Sequence, residues 1–131
     1  MWLVGVLAAV AGAIVTELFA LGARVIGVPM EAGSLGADTA APIPLGGFAM
    51  GTLMWSVVGI VLAVVLARWA KRPARTFVVA TVVLTVLSLA GPVMAVDTAT
   101  ATKVVLALSH LVAAAVVIPP LALRLSHVPR R

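Results

Sequence analysis

Four long apolar stretches, at about residues 2–27, 47–70, 76–96 and 103–125, are separated by short clusters of charged and helix-breaking residues. At ~1.5 Å per residue, each is long enough to cross the ~30 Å hydrocarbon core of a bilayer as a helix. In lipid every backbone N–H and C=O must find its partner inside the protein, so only helices or closed barrels can span. The short alternating segments of barrel strands are missing. The sequence therefore predicts an all-α fold: a polytopic transmembrane four-helix bundle forming a single domain over 1–131, with an outer loop at 28–46. Composition points the same way, because a chain that is 63% hydrophobic and 10% charged has too much apolar surface for one water-soluble core. The first stretch has no basic segment ahead of it and carries Glu17 and Arg24, so it reads as a retained helix rather than a secretory signal.

The basic residues set an expected orientation. Arg68, Lys71, Arg72 and Arg75 cluster between the second and third stretches, and Arg124, Arg130 and Arg131 lie at the C-terminal end. The first connection carries Glu31 and Asp38, and the third Asp97 with Lys103 at its border. The positive-inside rule then places both termini in the cytoplasm, making the chain a multi-pass protein of the inner (cytoplasmic) membrane. Trp2 and Trp69 both fall at the inner interface, where indole rings concentrate. The net charge of +5 is thus a topology signal and not the basic stripe of a nucleic-acid binder. With no cysteine, disulfides, thiolate catalysis and cysteine-ligated metals are excluded.

Few side chains in the spans can carry chemistry. Glu17 is the most informative, since an acidic side chain at mid-helix costs ~2.5–3.5 kcal/mol unless it is paired, protonated or wetted. It is expected to face the bundle, either as a proton or ligand site or as a carboxyl hydrogen-bonded to a neighbouring helix. Arg24 lies seven residues on, on the same face and ~10 Å nearer the outer surface, an outer-rim partner or an arginine snorkelling to headgroups. His110 in the fourth helix lies at a depth similar to Glu17, so the two can meet if their helices are neighbours. Thr52 and Ser88 fall at that level too, and the four together make a candidate polar layer. The alternative is that the hydroxyls return to the preceding turn's carbonyls. Nothing points to a catalytic set, a metal site or a cofactor: there is no phosphate-binding glycine loop, no second histidine at the depth of His110 and no paired carboxylates.

Packing features are also legible. Gly5, Ala8, Ala9, Gly12 and Ala13 form a smooth strip on the first helix, as do Ala113, Ala114 and Ala115 on the fourth, which implies close helix approach within or between chains. Gly91 and Pro92 should end or kink the third helix, and Pro119 with Pro120 should bend the fourth locally. The proline- and glycine-rich outer loop reads either as a cap or as solvated chain.

The run Ser88-Leu89-Ala90-Gly91-Pro92, the Thr/Ala-rich link from Thr98 to Thr102, the segment from Leu106 through His110 to Val112, and Ile118-Pro119 resemble a functionally uncharacterised family of small actinobacterial four-helix membrane proteins. Ser109 stands where methionine often precedes that histidine. The resemblance implies topology and no activity. A weaker likeness is to small multidrug-resistance transporters, which also have four helices and a membrane-embedded glutamate in the first; Glu17 matches that feature alone. Three functions follow as expectations. The first is a non-enzymatic accessory or assembly subunit that packs on other membrane proteins or on itself. The second is a proton-coupled transporter of amphiphilic or cationic solutes using Glu17 and His110. The third is a lipid- or quinone-modifying enzyme with His110 as base.

Overall fold

The computed structural model describes residues 1–129; Arg130 and Arg131 lie outside them. The elements are α1 (Trp2–Val25), β1 (Glu31–Ala32), β2 (Ala41–Pro42), α2 (Gly47–Trp69), α3 (Pro73–Ser88), α4 (Ala90–Val93) and α5 (Thr100–Ser126). Four segments are long and apolar enough to cross a membrane: α1, α2, the α3–α4 run Pro73–Val93, and α5. This is the predicted all-α bundle, with element boundaries shifted for local reasons. The third helix starts at Pro73, three residues earlier than expected, because proline is pre-organised for the first helical position. It stops at Ser88, earlier than expected, because Pro92 has no N–H to give to the turn before it, and a single turn, α4, continues the span. Pro119 and Pro120 lie inside α5, which continues unbroken to Ser126.

α1 is wedged between α2 and α5, while α3 packs on α5 and α2 and does not touch α1. The wedge depends on missing side chains. A Cβ at Gly5 would stand 2.6 Å from Ile60 Cγ1, and one at Gly12 would stand 2.8 Å from Val117 Cγ2 and 3.2 Å from Thr52 Cγ2. Gly5, Ala8, Ala9, Gly12 and Ala13 are all buried, so the small-residue strip is the inner seam of this bundle. On α5, Ala113 and Ala114 are half-buried and Ala115 is exposed. Two apolar clusters fill the interior. Ala9, Ile60, Ala63, Phe77, Val117, Leu121 and Leu125 pack at the end bearing the basic connection; Ala20, Ala23, Met30, Phe48 and Val105 pack at the opposite end.

Over that opposite end, residues 26–46 fold into a cap. α1 closes in a Schellman motif: Gly27, at φ +88°, donates to Arg24 O and Val28 donates to Ala23 O, a conformation glycine adopts without a Cβ clash. The chain then forms a small antiparallel pair, Glu31 opposite Pro42 and Ala32 opposite Ala41. Gly33 pairs with Val96 in the link between α4 and α5, so closely that a Cβ would run into the Val96 carbonyl. Thr98 Oγ1 accepts from Gly33 N at 3.0 Å, Asp97 Oδ2 accepts from Ala40 N at 3.2 Å, and Thr102 donates to Pro29 O. Met30 is buried beneath.

Candidate functional site

The site is built where α2 begins. Its first residues, Gly46-Gly47-Phe48-Ala49, hold no side chain able to cap a helix, and Gly46 at the N-cap position sits at φ +85°. The first N–H groups of any helix lack intrahelical acceptors. In an ordinary capping box the N-cap side chain accepts from the amide three residues on, whose own side chain reaches back to the N-cap amide. Here one side chain from another helix performs both parts. Glu17 Oε1 accepts from Gly46 N at 2.9 Å and Glu17 Oε2 accepts from Ala49 N at 3.1 Å. The positive end of the α2 dipole is also a favourable place for an acidic group.

Arg24 completes the arrangement with the opposite polarity. α2 starts beside Glu17, about 12 Å short of the end of α1 by the helical rise, so the chain before it descends along α1 as irregular backbone. Such backbone at membrane depth is tolerated only where the protein supplies its partners. Arg24 Nη2 donates to Ile43 O at 2.8 Å and to Pro44 O at 3.3 Å. One face of α1 therefore presents an acceptor and a donor, two turns apart, to the amides and carbonyls of a single descending segment. Arg24 is held at the rim by protein carbonyls, with its Nε buried and unpartnered.

Below Glu17, towards the basic end, α1 and α2 part to leave a groove of about 360 Å³, open on one side of the bundle. Val10, Ala13, Ile14 and Leu18 of α1 and Ala49 and Leu53 of α2 line it, and Glu17 is its only ionisable residue.

The other candidates bond elsewhere. His110 Nδ1 stands 2.6 Å from Leu106 O, so that nitrogen carries the hydrogen and donates within its own helix. Ser88 Oγ donates to Thr85 O at 2.6 Å. Thr52 Oγ1 pairs with Thr16 Oγ1 at 2.9 Å, across α1 and α2. No hydrogen bond among the described residues joins any two of Glu17, Thr52, Ser88 and His110. Sequence reasoning missed Thr16, whose hydroxyl also bonds Gly12 O at 2.9 Å and which is the real partner of Thr52. Its signal was its place at the end of the buried Gly5–Gly12 seam. Because both hydroxyls are buried, Thr16→Val or Thr52→Val alone should cost about 1 kcal/mol, and the double variant less than the sum, since replacing both partners leaves no orphan. A double-mutant cycle of unfolding free energies in detergent checks this, and additive costs would deny the pairing.

A family model described as a family of unknown function, DUF6069, matches residues 1–127. The chain belongs to this family. No curated protein and no solved structure matches it. The DUF6069 match spans α1 through α5, so the Glu17 cap, the Arg24 clamp and the folded cap all lie inside the matched region. Among the described residues of this DUF6069 protein, no group of three His, Asp or Glu is placed to hold a metal ion.

Proposed function

We propose that this DUF6069 protein is a non-enzymatic accessory or assembly subunit of the cytoplasmic membrane, with both termini on the cytoplasmic side, packing its outer helix faces on larger membrane proteins. The observation that carries the reading is the commitment of Glu17. The one acidic side chain within the spans has both oxygens bonded to the start of α2. Arg24, Thr52 and His110 are likewise bonded within the chain. What the molecule offers to its surroundings is shape. Val78, Val79, Val82, Val83, Val86 and Leu87 of α3 all face outward on a helix that only α2, α4 and α5 touch. Resemblance to small actinobacterial membrane proteins supports the choice of membrane, and the basic connection between α2 and α3 supports the orientation.

Proton-coupled transport through a Glu17–His110 pair draws less support, because each group is bonded to backbone. An enzyme with His110 as base draws least, because the ring is hydrogen-bonded only to the Leu106 carbonyl and to no nucleophile or second titratable group among the described residues. The experiment is native purification of the tagged protein in mild detergent, paired with a chromosomal deletion. Stoichiometric association with a larger membrane protein, and loss of that complex's assembly on deletion, is the expected result. A monomer whose deletion leaves every membrane complex intact would reject the role.

A further inference from the structure

We propose that the cleft between the α2–α3 connection and the end of α5 seats the phosphate of an anionic phospholipid, with Arg68 and Lys71 as its cationic contacts. This does not depend on the accessory role. Arg68, Trp69, Lys71 and Pro73 of the connection and Val128 and Pro129 just past α5 line the cleft, around a volume of about 60 Å³. A few water-sized groups fit there, so a phosphate can enter while the acyl chains stay in the bilayer. Val128 packs against the apolar cluster beneath, which ties this wall to the bundle. Trp69 is 79% exposed, as suits an indole at headgroup level.

The positive charge at this end has no counterpart within the protein. Arg24 and Lys103 donate to carbonyls of the chain, whereas among the described residues Arg68, Lys71, Arg72, Arg75 and Arg124 have no acceptor and no ion-pair partner. The four carboxylates lie elsewhere: Glu17 at the start of α2, Glu31 and Asp38 in the cap, and Asp97 in the link before α5. Compensation must come from outside, and anionic headgroups are the nearest source. The positive-inside rule accounts for the side of the membrane these residues take, but not for a walled cleft with two of them on its lining. α3 also begins here. Pro73 takes its first position, Arg72 supplies no side-chain cap, and the amides of Ala74 and Arg75 have no acceptor among the described residues. Free amides at a helix start favour the same anion that the side chains select. A basic pocket between spans at headgroup level suits an anionic lipid.

The test uses the full chain in vesicles of phosphatidylcholine and phosphatidylglycerol, with one or the other lipid brominated near its headgroup. Trp2→Phe and Trp55→Phe, both at exposed positions, leave Trp69 as the only indole, and its quenching reports which lipid sits at the cleft. Phosphatidylglycerol should be preferred, by roughly fivefold for each cation that contacts it. Arg68→Gln with Lys71→Gln should abolish the preference. Arg75→Gln with Arg124→Gln removes the same charge from residues outside the lining and should leave most of it. Arg68→Lys with Lys71→Arg should retain the preference, and it decides the matter if the neutral pair does not fold. Equal quenching by the two lipids in the parent, or equal losses from the two neutral pairs, would overturn the proposal. So would displacement of the lipid by inorganic phosphate at fixed ionic strength, which would assign the cleft to a soluble anion.

Discussion

Glu17→Ala should destabilise the bundle by about 2–4 kcal/mol, the sum of a lost helix cap and backbone amides left without acceptors. Gly46 and Ala49 have no substitute, because neither carries a side chain that can accept a hydrogen bond. Glu17→Gln, which retains one oxygen acceptor, should lose about half as much. Glu17→Asp is one methylene shorter and should fall nearer to alanine, since spanning from Gly46 N to Ala49 N requires reach. Denaturant titration followed by circular dichroism in non-ionic detergent measures all three. An alanine variant within about 0.5 kcal/mol of the parent, the range of ordinary surface substitutions, would mean that the α2 start is held by something else.

The second large effect belongs to the seam. Gly12→Val should push α1 away from both of its neighbours, because the first added carbon already overlaps Val117 and crowds Thr52. Overpacking of this kind costs typically about 1–3 kcal/mol, and here it should also break the Thr16–Thr52 bond one turn away. Gly22→Ala is the control on the same helix. Nothing lies within 4 Å of a Cβ there, so the change should be neutral or stabilising by up to about 1 kcal/mol through helix propensity. Equal losses at Gly12 and Gly22 would deny the wedge of α1 between α2 and α5.

Much of this arrangement is legible in the sequence, and the boundary of what is legible has a physical cause. Apolar run length alone yields the spans, and the small-residue strip on the first helix yields the close approach, because both depend on local spacing. The depth of Glu17 and its inward orientation follow from the cost of a carboxyl in lipid. Its partner does not. Counting residues along two helices fixes height but not azimuth, so Glu17 and His110 could be set at one level while each turned to a different acceptor or donor. The clue to Glu17 lay in the other helix: a span opening Gly-Gly-Phe-Ala cannot cap itself and needs an acceptor from elsewhere. Similarly, the cap at residues 26–46 joins Gly33 to Val96 and Thr98, and Pro29 to Thr102, contacts across more than sixty positions that no local pattern encodes. Ser88 and His110 followed the local alternative for polar side chains in membrane helices, returning their bonds to carbonyls of their own helix.

The central claim is that a side chain of α1 supplies the missing cap of α2. Residue-resolved amide hydrogen exchange at Gly46 and Ala49, in the bilayer-embedded protein and in Glu17→Ala, tests it most directly. Both amides should be protected in the parent and should exchange at the rate of open chain in the variant, while amides in the middle of α2 keep their protection. Equal protection of Gly46 and Ala49 with and without the carboxylate would contradict the account.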